Sequence, residues 1–280
     1  MKYNCDACHL KTVRKLIEKF HPSEEVCKEI YATVNTYLDP QNQDSNPKVS
    51  QKVHRLIRES LGIEDLFVEE KFQANKVFLD QYDRWKRYIL QSDNPQRTAI
   101  KLAVIGNIID YGAHRARKDV EQQVDEWLDS PLAIDHCDAL LEEVDKASKI
   151  LYLGDNAGEI FFDRLLIEAL APEKTTFVTR GRAVINDVTY KEAEQIGMPK
   201  VCNVISNGSD APSTLLDECS EDFLYAYHNA DLIISKGQGN LEGLMHEKHP
   251  NTFFLFIAKC EPIAHFADAK VDDLIVKRCK

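Results

Sequence analysis

Glycine and proline are sparse, at 11 and 10 of 280 residues. That excludes a collagen-like or low-complexity disordered chain and leaves an ordinary globular one. No stretch approaches eighteen consecutive apolar residues, so no membrane-spanning helix is expected. Basic residues are outnumbered, 35 against 46 acidic, for a net charge of −11. A nucleic acid polymer needs a basic footprint, so it is not an expected partner. A small anion remains possible in a locally positive pocket, and an acidic pocket favours a metal cation. The first residues, Met1-Lys2-Tyr3-Asn4-Cys5, contain no apolar signal core, and a cytoplasmic location is expected. Eight cysteines in so long a chain do not suggest a disulfide scaffold. Most are expected as buried small apolar residues. Only Cys5-x-x-Cys8 has a spacing that suggests chemistry. A zinc site there needs two more ligands, and His9, His21 and Cys27 match no standard module. A redox pair and a buried structural pair are the other readings.

The chain divides into two halves, with a helical domain expected over 1–147 and a sheet domain over 148–280. Helical periodicity runs through 9–20, then from the Ser23 N-cap with its acidic first turn, then through 48–61 and 67–91. The fourth segment directs Phe72, Val77, Phe78, Leu79, Tyr82 and Trp85 toward a core. Asn94-Pro95 opens another helix, and two more follow near 117–129 and 134–147. No strand is expected in this half. From Lys149 the pattern changes to short apolar runs: 150–153, 176–179, 201–205, 232–234, 253–257 and 274–276. Continuous apolarity suits strands buried on both faces of a parallel sheet. Helical stretches separate them at about 157–170, 187–197, 212–218 and 240–248. The expected fold is α/β: a doubly wound, mostly parallel α/β/α sheet domain preceded by an all-helical N-terminal domain.

Ligands of such sheets sit beyond the carboxyl ends of the strands. The first run ends in Gly154-Asp155-Asn156-Ala157-Gly158-Glu159, which offers hard oxygen ligands in a glycine-bounded turn, or a plain helix cap. The second leads into Arg180-Gly181-Arg182 and Asn186-Asp187, an oxyanion site and a further metal oxygen, or a solvated loop with a cap. The third ends in Ser206-Asn207-Gly208-Ser209-Asp210, an ordinary turn, or a small polar loop lining the same crevice. The fourth ends in Lys236-Gly237-Gln238-Gly239-Asn240, where a lysine and backbone N–H groups between Gly237 and Asn240 can hold a phosphate. Its glycine spacing misses the dinucleotide fingerprint, and its lysine precedes the glycines, unlike a P-loop. A carboxylate–carboxamide pair, a second carboxylate and a lysine thus converge on one crevice. Metal-assisted phosphate hydrolysis is the natural reaction class. In the helical half, Asn107 and Asp110 share a helix face within an apolar stretch, which points them at a cleft. Asp110 as an exposed residue near a helix end is the other reading.

Three segments carry a family resemblance: 154–159, Val184-Ile185-Asn186-Asp187-Val188-Thr189, and Lys236-Gly237-Gln238-Gly239-Asn240-Leu241-Glu242. Together they resemble the DUF89 family of metal-dependent damage-control phosphatases, related to the methyltransferase-like ARMT group. Cys5-x-x-Cys8 and Gly106-Asn107-Ile108-Ile109-Asp110 look like its prokaryotic branch that carries a Cys-x-x-Cys. The resemblance implies a divalent metal, commonly Mn, Ni, Co or Mg, held by Asp155, Asn156 and Asp187. It implies phosphate contact by Lys236 and hydrolysis of small phosphometabolites, such as damaged or side-reaction sugar phosphates or nucleotides. Asp155 is the candidate catalytic carboxylate, although a haloacid-dehalogenase-type nucleophile wants a second Asp where Ala157 stands. The rival readings are an S-adenosylmethionine-dependent methyltransferase, whose glycine-rich first turn is missing here, and a non-catalytic metabolite-binding or redox module using Cys5 and Cys8.

Overall fold

The structure is a computed structural model and describes residues 5–107, 120–247, 249 and 251–279, with the side chains of 120–123 outside that set. Helices α1 (Cys5–Phe20), α2 (Glu24–Tyr37) and α3 (Asn46–Leu61) open the chain. Val13, Leu16, Ile30, Val34, Val53 and Ile57 recur at helical spacing and close an apolar centre that belongs to these three helices. Ser23 caps α2 by accepting a hydrogen bond from the Val26 N–H at 3.4 Å.

The stretch expected as one helix over 67–91 is two, α4 (Val68–Leu79) and α5 (Tyr82–Gln91). Phe78 and Trp85 are buried as expected, but Phe72 and Val77 face solvent. The inward stripe of α4 is Lys71, Ala74, Asn75 and Phe78. Two polar members occupy it because each finds partners: Lys71 pairs with Asp65 and Glu192, and Asn75 binds the Gln195 side chain and the Gly158 N–H. Hydropathy alone rotates this helix the wrong way.

Helices α6 (Pro95–Gly106) and α7 (Val120–Leu128) lead to a strand, β1 (Leu132–Asp135), and then α8 (Cys137–Lys146). The strand corrects the expectation that no strand precedes Lys149 and shortens the helix expected over 134–147. It is a four-residue edge strand whose exposure alternates, and Leu-Ala-Ile-Asp carries no periodicity that distinguishes it from a helical turn. The remaining elements alternate: β2 (Ile150–Leu153), α9 (Ile160–Leu170), β3 (Thr175–Thr179), α10 (Tyr190–Gln195), β4 (Asn203–Ser206), α11 (Glu221–His228), β5 (Leu232–Lys236), α12 (Gly237–Leu244), β6 (Thr252–Ile257), α13 (Glu261–Ala267) and β7 (Leu274–Arg278). The helix expected over 212–218 is a three-residue 3-10 turn, and α11 follows it instead.

The seven strands run in the order β1-β7-β6-β5-β2-β3-β4, parallel except for the antiparallel β6–β7 pair. Their side chains alternate between two apolar layers. Tyr152, Phe177, Ile234 and Phe253 face α6, α8 and α9, whereas Leu151, Leu153, Ile233 and Phe254 face α11, α12 and α13. From β2 the chain first winds outward through β3 and β4, then crosses back to β5 and β6 on the other side. The order therefore reverses between β2 and β5, and their carboxyl ends open a crevice there. No helix among the described residues is long and apolar enough to cross a membrane.

Candidate active site

The turn after β2 and the loop after β3 are zipped together at that crevice. Val188 N–H donates to Asp155 O at 2.8 Å, Ala157 N–H donates to Asn186 O at 2.8 Å, and Asn156 and Asp187 form a backbone bridge. These bonds bring Asp155, Asn156, Asn186 and Asp187 onto the wall of one pocket of about 670 Å³. The loop includes Ile185 at φ 44°, a conformation that is a genuine outlier for a β-branched residue. Strain of this kind persists only where the surroundings over-determine it; here it immediately precedes Asn186 and Asp187.

Both carboxylates are buried and held from behind. Arg180 Nε donates to Asp187 Oδ2 at 2.7 Å, and its Nη2 lies 3.8 Å from Asp155 Oδ1. Asn107 Nδ2 reaches Asp155 Oδ2 at 3.0 Å and Glu159 Oε2 at 2.7 Å. Asn156 Nδ2 bonds the same two carboxylates, at 2.8 and 3.2 Å. Burial, followed by the charges of Glu159 and Asp187, pushes the Asp155 carboxyl well above its ordinary range; Lys259 and Arg180 only partly oppose this. Burial also raises Asp187, against the pull of Arg180. In both carboxyls burial is the leading cause and disfavours the charged form, which a bound cation would restore.

Lys236 lies behind this layer. It is fully buried, with its ammonium on Glu159 Oε1 at 3.1 Å and on Asp163, and it does not line the pocket. Burial works against its charge, but Asp163 and Glu159 outweigh burial and hold its pKa above the ordinary lysine value. Asp163 also accepts the Tyr152 hydroxyl at 2.7 Å, and burial moves its carboxyl up to about 6. Gly237 and Asn240 join the site in different ways. A Cβ on Gly237, at φ 76°, would stand 1.8 Å from Asp155 Oδ2, so only glycine permits this approach. Asn240 ties the β2 turn to α12 by donating to Gly154 O at 3.0 Å and Lys236 O at 2.8 Å. Asp110 lies outside the described residues.

Two further pocket residues bear on the site: Asn186, which the sequence offered only as part of the Asn186-Asp187 pair, and Lys259, which it did not single out. Asn186 is 1% exposed, yet neither its Oδ1 nor its Nδ2 has a hydrogen-bond partner within the protein. Lys259 lines the pocket and lowers the Asp155 pKa, so its charge is felt at the carboxylates. The rule that ligands gather beyond strand ends pointed to it, because Lys259 stands two residues past β6.

A divalent metal fits this donor set. Buried carboxylates with raised pKa values and an unpartnered carboxamide are hard oxygen donors aimed into one space. Among the described residues no three His, Cys, Asp or Glu side chains converge on a metal position. The two aspartates would therefore be completed by asparagine oxygens and water.

The sequence profile of the damage-control phosphatase ARMT1-like domain matches residues 1–275. A damage-control phosphatase of Archaeoglobus fulgidus is 35% identical over 239 residues, covering 83% of this chain and 82% of its own. One from Pyrococcus horikoshii is 30% identical over 285 residues, covering 100% of this chain and 98% of its own. An uncharacterised protein of Methanocaldococcus jannaschii is 31% identical over 290 residues, covering 99% and 95%. The crystal structure of a DUF89 family protein from Pyrococcus horikoshii superposes with a TM-score of 0.90 at 29% identity, covering 100% of this chain and 99% of that one. A whole-chain profile match, relatives at this identity and one shared architecture lead to a single conclusion: the chain belongs to the damage-control phosphatase family with the ARMT1-like, or DUF89, domain.

Proposed function

We propose that this phosphatase-family chain is a divalent-metal-dependent phosphoric monoester hydrolase acting on small phosphorylated metabolites. The observation that carries the reading is the buried Asp155–Asp187 pair with the unpartnered Asn186 amide, on the wall of one pocket at the sheet's switch point. Asp155, Asn156 and Asp187 would hold the metal, with Asn186 as a further oxygen donor. When bound, Mn, Ni, Co or Mg would supply an acidified water and polarise a phosphoryl oxygen.

The protein's own groups do the rest. Arg180, Asn107 and Asn156 fix the two aspartates in place, so no side chain reorganises as charge develops. Lys259 faces the phosphate and balances its charge. Lys236 lacks the exposure that a phosphate contact needs; it neutralises Glu159 and Asp163 and so keeps Glu159 oriented toward Asn107 and Asn156. The opposite wall comes from α1 and α3, where Thr12, Ser50 and His54 offer neutral polar groups to the remainder of the metabolite. Burial holds the His54 pKa down at about 4, so it meets a substrate uncharged. A methyltransferase reading gains nothing here, because the turn after β2 is occupied by Asp155 and its hydrogen-bond partners.

The test is phosphate release from a panel of sugar phosphates and nucleotides, with each metal added in turn to chelator-treated protein. Turnover should require metal and should vanish in Asp155→Ala at unchanged secondary structure. Full activity after exhaustive chelation would overturn the proposal.

A further inference from the structure

Helices α1–α3 form a cap with an apolar centre of its own, and among the described residues its buried members extend no further than Leu66. The bonds that join this cap to the sheet are polar. Gln51, Arg55 and Arg58 converge on Asp210, at 2.8 to 3.1 Å for Gln51 Nε2, Arg55 Nε and Arg58 Nη2. Arg58 also donates to Ala183 O, Lys48 pairs with Glu218, and Asn46 donates to Glu242. An attachment of this kind exchanges readily for water, unlike a shared apolar core. The pocket lies between the two parts, with one face of α1 along its outer wall.

Thiols stand on both sides of that pocket. Cys5 and Cys8 belong to the first turn of α1, and Cys260 caps α13 on the sheet side; all three line the pocket and all are free. Cys8 is exposed, whereas Cys5 and Cys260 are half-buried. Cys260 Sγ accepts a hydrogen bond from Gln238 at 3.4 Å, and Gln238 adjoins Gly237, the residue pressed against Asp155. Glu242 receives hydrogen bonds from both Asn46 of the cap and Gln238 of the sheet part. Burial raises the Cys5 thiol, and the charges of Glu242, Cys260 and Cys8 raise it further; burial also raises the Cys260 thiol, against the hydrogen bonds of the Ile263 backbone and Gln238. The three thiols thus line one pocket from its cap side and its sheet side.

We propose that Cys5, Cys8 and Cys260 form a thiol–disulfide latch at the pocket mouth, in which oxidation joins Cys260 to a thiol of α1 and fastens the cap over the phosphate site. The oxidant is a small disulfide, RSSR. Exposed Cys8, as thiolate, attacks one sulfur, forms a mixed disulfide and releases RS⁻, which takes up a proton. A second protein thiol then displaces the remaining RS⁻, so that two thiols become one disulfide and RSSR becomes two RSH. If Cys260 supplies the second sulfur directly, or after relay through Cys5, the cross-link spans the pocket. A Cys5–Cys8 bond would lie within one helical turn and leave the cap free to move.

The test treats the metal-supplemented full chain with oxidised glutathione, followed by non-reducing peptide mass mapping, backbone hydrogen exchange and phosphate-ester kinetics. The expected map contains Cys260 linked to Cys5 or Cys8, with slowed exchange in α1. Activity should fall at least tenfold and return on reduction, while oxidised Cys260→Ser changes less than twofold. A map with only Cys5–Cys8 or only glutathione adducts overturns the latch, as does equal inhibition of Cys260→Ser. Mass map and exchange need no substrate, so they judge the latch separately from the phosphatase reading.

Discussion

Gly237→Ala isolates the contact on which the site geometry depends. Gly237 sits at φ 76°, where an L-residue costs about 1–2 kcal/mol. Its new Cβ would lie 1.8 Å from Asp155 Oδ2 and 2.3 Å from Asp155 Cγ, whereas real Cβ atoms essentially never come within 3.0 Å. The Asp155 carboxylate must therefore retreat by about 1 Å or the α12 turn must shift by as much. A misplacement of that size at a reacting centre costs about 10²-fold. Gly62→Ala supplies the control: Gly62 has φ 65° with nothing within 4 Å of the added Cβ, so it meets the left-handed penalty without a collision. Both variants should lose about 2–6 °C in Tm from the backbone term. Only Gly237→Ala should lose kcat/KM, by 10² or more, measured by metal-dependent phosphate release and thermal melting on the same preparations. Wild-type kcat/KM in Gly237→Ala would show that the Asp155 position does not depend on Gly237, and an equal loss in Gly62→Ala would show that the collision is not the cause.

Lys259→Ala should keep the fold and lower kcat/KM by about 10²–10³, as expected for one charge-stabilising donor; kinetics like the wild type would remove Lys259 from the site. Lys236→Met should instead fail on stability, by about 3–5 kcal/mol in chemical denaturation, because Glu159 and Asp163 would be left as buried, uncompensated acids. His54 has its folded pKa lowered from 6.5 to about 4, so the unfolded chain binds the extra proton between those values. Stability tied to His54 is thus complete above pH 6.5 and falls by about 3 kcal/mol as pH drops toward 4, at 1.36 kcal/mol per unit. His54→Leu should flatten denaturation midpoints across that window, and an unchanged slope would count against it. Asp210 is held below the ordinary carboxylate range by Arg55, Gln51 and Arg58, which outweigh its burial, so its contribution is full above that range and fades as pH falls through it. Asp210→Asn should cost about 2 kcal/mol at neutral pH, mainly through the sheltered Arg58, and should speed hydrogen exchange in α1–α3.

Strands β2, β3 and β5 were readable because each is a short apolar run that gives way to polar residues and glycine, and a buried parallel sheet enforces such runs. Asp155 and Asn156 stand just past such a run, whereas Asp187 lies eight residues beyond β3 and was reached through the Asn186-Asp187 pair and the family resemblance. Lys236 was visible as a residue but not in its surroundings. Its partners Glu159 and Asp163 lie four apart at the start of α9, amid the buried Ile160, Phe161, Phe162, Leu165 and Leu166. Two acids on an otherwise apolar helix require an internal cation, and that was the available signal for a sealed Lys236. Two features escaped for a physical reason. Strand β1 is stabilised by pairing with β7, some 140 residues later, rather than by any local preference. The polar inner face of α4 exists only because Asp65, Glu192 and Gln195 come from other elements to satisfy it. Pairings at long sequence separation leave no trace in local periodicity.

The proposed function stands on Asp155 and Asp187, with their asparagine neighbours, holding a divalent cation for phosphate hydrolysis. Calorimetric titration of Mn²⁺ into chelator-treated protein measures that site, with wild type and Asp187→Ala run side by side. The expected result is saturable binding of one ion per chain in the wild type and none at the same concentrations in the variant, with a rise in Tm only where the ion binds. Equal binding by both proteins, or no binding by a folded wild type, would contradict it.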